Sequence, residues 1–207
     1  MSWDNIPGHS GFLPLYDEFV RTAPPGAVAV EVGVALGHSI AFLARRVLEA
    51  RKPIEVWAVD PWAGVARNGE QQHFLGARPC PGDFTLFLEM MRTYAREELE
   101  IVRVLRLDSH RGAQVFAPGS CDLVLIDAAH DYDSVDADIR AWLPAVKAGG
   151  ILAGDDHEPN YPGVEKACRK WFGDDYEVRG TTWVKRIAAG DAKRVADVDT
   201  GERALPG

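Results

Sequence analysis

The sequence predicts an α/β protein in which a doubly wound, mostly parallel sheet carries helices on both faces and ends in an antiparallel hairpin. Three observations carry that expectation. Short runs of apolar and β-branched residues alternate repeatedly with stretches of helical spacing, the pattern of successive strand-helix-strand units. The runs are apolar with little alternation, as strands buried on both faces must be. Each of them closes on an acid: Glu31, Asp60, Asp108, Asp127 or Asp155. Ligands of such sheets bind beyond the carboxyl ends of the strands, so these acids are expected along one rim.

Residues 1–11 hold Trp3, Ile6 and Pro7 without periodicity and read as irregular chain, and an exposed Trp3 and Ile6 would suit contact with a second copy in a homodimer. A short helix over 13–23 turns Leu15, Phe19 and Val20 inward before Pro24-Pro25-Gly26 stops it. The first strand starts at Ala27, and Ile40, Leu43, Ala44, Val47 and Leu48 set the spacing of a helix over 40–50. After Lys52-Pro53, the run IEVWAVD makes a second strand ending on Asp60. Residues 64–82 are polar, glycine-rich and punctuated by proline, longer than a plain connection, and read as a lid or binding segment. Within them His73 and Phe74 either meet the substrate or face solvent.

A helix over 84–96 buries Phe84, Phe87, Leu88 and Met91, and IVRVLRLDSH supplies the third strand with a short helical segment over 111–116 behind it. DLVLID is the fourth strand. The helix over 134–147 stacks Val135, Ile139, Trp142, Leu143 and Val146 on one stripe, with Pro144 late in it, where a bend or early end is expected, and Gly149-Gly150 as its cap. ILAG then runs into Asp155-Asp156-His157. A helix over 163–172 faces Val164, Ala167, Cys168 and Trp171 inward, and DYEVRG with TTWVKRI forms the hairpin near Gly180. Residues 188–207 lack periodicity and read as a flexible tail, leaving one domain over 1–187 with 1–26 as its N-terminal cap.

With 207 residues, 46% of them hydrophobic, the chain suits a single core. A formal net charge of −8 argues against a nucleic-acid partner, since nothing resembles a basic stripe that could release counterions, and favours small-molecule chemistry. Cys80, Cys121 and Cys168 are too scattered for a disulfide framework or a zinc knuckle and read as free thiols of a reducing compartment. No run approaches the roughly 18 apolar residues that span a bilayer, and MSWDNIPGHS lacks the charged and apolar regions of a signal peptide. The expectation is a cytoplasmic protein without a membrane partner.

The stretch AVAVEVGVALGHS, from Ala27 to Ser39, narrows the chemistry. It reads as strand, tight turn, helix. At such a junction glycines let a ligand approach the backbone, the helix N-terminus offers unpaired N–H groups, and Glu31 can accept from a ligand's donors. A dinucleotide fingerprint needs G-x-G-x-x-G, and Ala35 stands where the middle glycine belongs, which disfavours a nicotinamide-dependent oxidoreductase. The E-x-G-x-x-x-G present instead resembles the first motif of class I S-adenosylmethionine (SAM) dependent methyltransferases. That resemblance implies a Rossmann-like fold and a donor site holding Glu31, Gly33, Gly37 and Ser39. Asp60 ends the second strand about twenty residues beyond the glycine turn, where α/β nucleotide sites hold ribose hydroxyls. Trp62 either packs along the adenine or belongs to the core. Asp108 and Ser109 resemble the position that meets the adenine amino group, and Asp108 can equally cap a helix.

The segment IDAAHDYDSVDADIRAWLPAVKAGGILAGDD resembles, more narrowly, the small O-methyltransferases that depend on a divalent metal, the catechol-type enzymes and those of macrolide and sugar pathways. The resemblance implies a metal held by Asp127, Asp155 and Asp156, with Asp127 also touching the donor and taking part in catalysis. Carboxylates crowded at neighbouring strand ends repel one another, and a hard cation, Mg²⁺ or else Mn²⁺ or Ca²⁺, removes that repulsion. His130, three residues past Asp127, matches by spacing the base of some sugar O-methyltransferases; a neutral imidazole there can take the substrate proton. His157 is the alternative base or a further ligand. Catechol-type enzymes carry a lysine near this loop, and its absence from AAHDY counts against a catechol-like mechanism. The expected function is SAM-dependent, Mg²⁺-assisted O-methylation of a small hydroxylated molecule of sugar or natural-product type. The alternative is a non-catalytic SAM-binding module of the same fold, which would have no use for His130 and the three acids.

Overall fold

Strand β1 (Val28–Val32) forms the centre of the sheet, with β2 (Glu55–Val59) and β3 (Val102–Leu105) on one side and β4 (Cys121–Ile126) and β5 (Val146–Gly154) on the other. These five run parallel. The hairpin strands β6 (Glu177–Arg179) and β7 (Thr182–Arg186) follow, β7 pairing antiparallel with β5, to give the order β3-β2-β1-β4-β5-β7-β6. This is the predicted doubly wound α/β fold. The computed structural model describes residues 2–8, 10–63 and 84–191, together with the backbone of a small ladder, Ala66–Arg67 against Glu70–Gln71.

Residue alternation along the strands sends side chains to two separate cores. Ala29, Val56, Leu123 and Leu125 meet α1 (Leu13–Thr22), α2 (His38–Ala50) and α3 (Phe84–Tyr94) through Leu15, Phe19, Ile40, Leu43, Phe87 and Met91. A short helix, α4 (Arg96–Leu99), follows α3. Val30, Val32, Val124 and Ile126 meet α5 (Ser109–Ala113), α6 (Tyr132–Trp142) and α7 (Pro162–Phe172) on the opposite face through Ala113, Val135, Ile139, Trp142, Val164 and Trp171. Glu31 lies between Val30 and Val32 and so points to the α1 and α2 side. After β3 the chain returns to the other side of β1, which places a topological switch point between β1 and β4, the place where such sheets open a cleft.

Several boundaries differ from the sequence expectation for identifiable reasons. The helix expected over 134–147 starts earlier, at an Asp131 cap that accepts the Ser134 N–H at 3.0 Å, and it ends at Trp142. Pro144 lies in a separate 3-10 turn, Leu143–Ala145, because it has no N–H to continue the ladder. Gly149 and Gly150 therefore cap no helix; they lie in a register shift of β5, where Gly149 takes φ 83° and bonds Ile187. The helix expected over 84–96 breaks at Ala95, leaving α3 and α4 as two pieces. The N-terminus is less exposed than expected: Trp3–Asn5 is a 3-10 turn, Ile6 is buried, and the half-buried Trp3 ring packs on Phe42 and His38. Residues just past 187 also fold back, Asp191 being buried and accepting the Ala188 N–H at 2.8 Å. No helix among the described residues is long and apolar enough to cross a membrane.

Candidate active site

The cleft at the switch point has two rims. On the first, β1 gives way to a turn at Gly33, whose φ is 87° and where an added Cβ would lie 2.0 Å from the Asp127 carbonyl oxygen. Only glycine satisfies both conditions. Asp60, at the end of β2, ties the turn down: Oδ2 accepts the Val34 and Ala35 N–H groups at 2.9 and 3.0 Å, and Oδ1 accepts the Trp62 N–H at 2.6 Å. Glu31 lies fully buried below. Its Oε1 accepts from the Ser39 hydroxyl in the first turn of α2 at 2.6 Å, and its Oε2 from the Tyr16 hydroxyl of α1 at 2.7 Å. Both donors are neutral. Burial therefore wins over the two hydrogen bonds and, with Asp60 adding its charge, pushes the Glu31 carboxyl up to about 7.

The second rim follows β4 and β5. The Asp127 N–H donates to the Val32 carbonyl at 2.7 Å, which ties this rim to β1. Burial raises the Asp127 carboxyl well above the usual carboxylate range, and the charges of Asp155, Asp156 and Glu31 raise it further. Asp127, His130 and Asp156 each offer a ligand atom within 4.8 Å of the others. His130 Nδ1 lies 2.8 Å from Asp156 Oδ2, and the imidazole packs on Tyr161 with ring centroids 4.7 Å apart. Asp156 itself takes left-handed backbone, φ 60°, which marks a conformation held by its surroundings. Asp155 turns to the hairpin, its Oδ1 accepting the Thr181 hydroxyl at 2.6 Å and that of Thr182 at 3.4 Å.

A glycine turn, a buried acid and a second acidic rim at one switch point suit several nucleotide-type ligands. Residues 30–157, more than half of the chain, match the family described as a methyltransferase domain. The chain belongs to that family. SAM is therefore the methyl donor to be accommodated. Among solved structures the methyltransferase is similar to the calicheamicin methyltransferase CalS11, at 18% identity over 84% of this chain and 76% of that one, TM-score 0.60. It is also similar to the O-methyltransferase NovP, at 21% identity over 86% and 80%, TM-score 0.58. A third is cofactor-bound Rv0187 from MTB, at 17% identity over 89% and 85%, TM-score 0.57. At these identities the likeness is one of fold. No curated protein sequence matches the chain.

The methyltransferase thus gathers Glu31, Gly33, Ser39 and Asp60, with Gly37 at the start of α2, on one rim, and Asp127, His130 and Asp156 on the other. Other residues singled out in the sequence have partners outside these two rims. Asp108 caps α5, accepting the Arg111 N–H at 3.0 Å, and the Ser109 hydroxyl engages α6, accepting from Trp142 Nε1 at 3.0 Å and bonding Asp138. Trp62 is buried against Phe84 and Phe87, its Nε1 donating to the Ala35 carbonyl at 2.8 Å, so its ring packs in the core and braces the turn from beneath. His157 pairs with the Tyr176 hydroxyl at 3.0 Å and is not one of the group gathered with Asp127. His73, Phe74 and, apart from the ladder at 66–67 and 70–71, the lid expected over 64–82 lie outside the described residues.

Sequence reasoning missed Tyr16, Thr181 and Thr182. Tyr16 carried one usable signal, since a phenol in an otherwise apolar helix stripe needs an acceptor when buried. The threonines carried none. The first rim fits the donor: a buried carboxylate with no Lys or Arg partner among the described residues, beside a turn too tight for a Cβ and next to a helix N-terminus, suits a cationic amino acid group. The second rim fits a hard cation, because it gathers carboxylate oxygens and its central acid is destabilised by like charge.

Proposed function

We propose that the methyltransferase moves the methyl group of SAM to a hydroxyl oxygen of a small molecule, of sugar or natural-product type, with the help of a divalent cation, Mg²⁺ or alternatively Mn²⁺ or Ca²⁺. The observation that carries this reading is the gathering of Asp127, His130 and Asp156 within 4.8 Å, on the rim facing the donor turn. Glu31 and the Gly33 turn receive the amino acid end of the donor, and Asp60, already aligned on three backbone N–H groups, borders the ribose. Asp127 and Asp156 hold the cation, with Asp155 offering Oδ2 because its Oδ1 is taken by Thr181 and Thr182. When bound, such a cation makes a substrate hydroxyl more acidic and orients it.

His130 is the base. Its Nδ1–H donates to Asp156, which leaves Nε2 with a lone pair for the hydroxyl proton. As that proton goes to Nε2, the oxygen attacks the methyl carbon in line with the departing sulfur; the new C–O bond forms as the C–S bond breaks, and S-adenosylhomocysteine leaves. The fold shared with a TDP-rhamnose 3'-O-methyltransferase supports a hydroxylated, sugar-like acceptor. Calorimetry of the full chain with SAM and S-adenosylhomocysteine, with Mg²⁺ and with EDTA, tests the donor half, and mass analysis of a panel of hydroxylated sugars and natural products tests transfer. We expect binding in the micromolar range and EDTA-sensitive transfer to at least one acceptor. Absence of nucleoside binding in every condition would overturn the reading, and transfer indifferent to EDTA would remove its metal part.

A further inference from the structure

Tyr16 has contacts that helix packing alone does not require. It lies in α1, outside the matched methyltransferase region, and is fully buried, yet its hydroxyl reaches Glu31 Oε2 at 2.7 Å. The chain just ahead of α1 touches the other rim, since a Cβ on Gly11 would fall 2.7 Å from Thr181 Oγ1 and 3.6 Å from Asp155 Oδ1. The N-terminal segment therefore runs along both sides of the cleft. The groups that bear on Glu31 are Tyr16 from α1, Ser39 from α2 and Asp60 from the end of β2, with Asp127 and Asp155 beyond β4 and β5 acting on the same cluster. None of them is a cation. Burial favours the neutral carboxyl, and the two hydroxyls favour the carboxylate. Tyr16 itself stays a donor, because burial first, and then Glu31, Asp127 and Asp155, hold its proton in place.

We propose that Tyr16 is a positioning residue for the methyl donor: its hydroxyl holds the Glu31 carboxylate charged and oriented for the donor's ammonium group, making the N-terminal helix part of the donor site. The proposal rests on the placement of the donor at Glu31 argued above. It predicts a signature that loss of packing does not give. Removing the phenol oxygen takes away a hydrogen bond that stabilises the ionised acid, so donor binding weakens most where wild-type Glu31 is only part ionised.

The test is calorimetry of S-adenosylhomocysteine with the full chain, wild type, Tyr16→Phe and Glu31→Gln, between pH 6 and 9. The quantity read is the ratio of variant to wild-type dissociation constants, in which the ligand's own amine titration cancels. For Tyr16→Phe the expected ratio is on the order of ten near pH 6.5 and falls toward unity by pH 9. For Glu31→Gln it rises with pH, since only wild type gains charge. A Tyr16→Phe ratio that is flat with pH, whatever its size, overturns the positioning role. A Glu31→Gln ratio near unity throughout removes instead the placement of the donor at Glu31. Should Tyr16→Phe not fold, Tyr16→Leu is read in the same way, and all chains are melted alongside.

Discussion

The two rims of the cleft carry the same kind of residue and treat it differently. On the β1 rim every carboxylate oxygen of Glu31 and Asp60 has a donor, supplied by two hydroxyls and three backbone N–H groups. On the β4 and β5 rim the Asp127 carboxyl has no hydrogen-bond donor among the described residues, Asp156 has His130, and Asp155 has its two threonines on one oxygen. The first rim is completed by the fold. The second leaves like charges close together, a crowding that a bound proton or a cation would relieve, so the two rims differ in how far the fold itself satisfies its acids.

The largest effect that sharpens this contrast is expected from Asp127→Asn. If Asp127 holds a cation as proposed, methyl transfer should fall on the order of a thousandfold, because its central ligand is lost. The same change relieves an acid held back by burial and pressed by Asp155, Asp156 and Glu31, so the free chain should melt higher than wild type. Mg²⁺ should raise the melting temperature of wild type and leave the variant unmoved. S-adenosylhomocysteine titrations decide whether the rims are separable: retained affinity keeps them apart, and lost affinity puts Asp127 in the donor site as well.

The next effect is on the joint between the rims. Gly33→Ala forces a Cβ to 2.0 Å from the Asp127 carbonyl oxygen, a backbone atom that cannot swing aside, and strains a φ of 87°. A loss of about 3 kcal/mol is expected, roughly 6–12 °C in melting temperature. Gly180→Ala is the control. It has φ 67° but open space around it, so the expected loss is about 1 kcal/mol, the conformational part alone. Equal losses at the two glycines would mean that the β1 turn and the Asp127 loop are not in the contact described.

The same contrast explains what could be read from sequence. Strand runs such as IEVWAVD and DLVLID announce the sheet because burial on both faces leaves no polar alternate, and the acids that close them follow from where strands end. The glycine turn was legible for the same local reason. What escaped notice depends on contacts between distant segments: Tyr16 meets Glu31 across 15 residues, and Thr181 meets Asp155 across 26. Asp155, expected beside Asp127 and Asp156 around one ion, also directs its Oδ1 to a hairpin whose return path no spacing rule reveals. His130 enters the group because of the loop before α6, whose cap at Asp131 is a local signal but whose direction is not. Ser109 and Trp62 show the reverse, plausible ligands by position whose side chains the tertiary packing takes up, Trp62 taking the core alternative left open for it.

The smallest effect is in stability against pH, and it bears on the completed rim. The Glu31 carboxyl titrates near 7 in the folded chain and near 4.5 ordinarily, so between those values the folded state holds a proton that the unfolded state has released. Its contribution to stability is fully present below about 4.5 and is lost as the pH rises through 7. Glu31→Gln has no such titration. The variant should therefore gain on wild type as the pH rises from 5 to 8, by roughly 2 kcal/mol, with the gap read from urea melts at each pH. A gap of constant size would mean that Glu31 is already ionised at pH 5, which two neutral hydroxyls could not achieve against complete burial. A cation would then have to reach the β1 rim without the donor, and the difference between a finished rim and a deficient one would disappear.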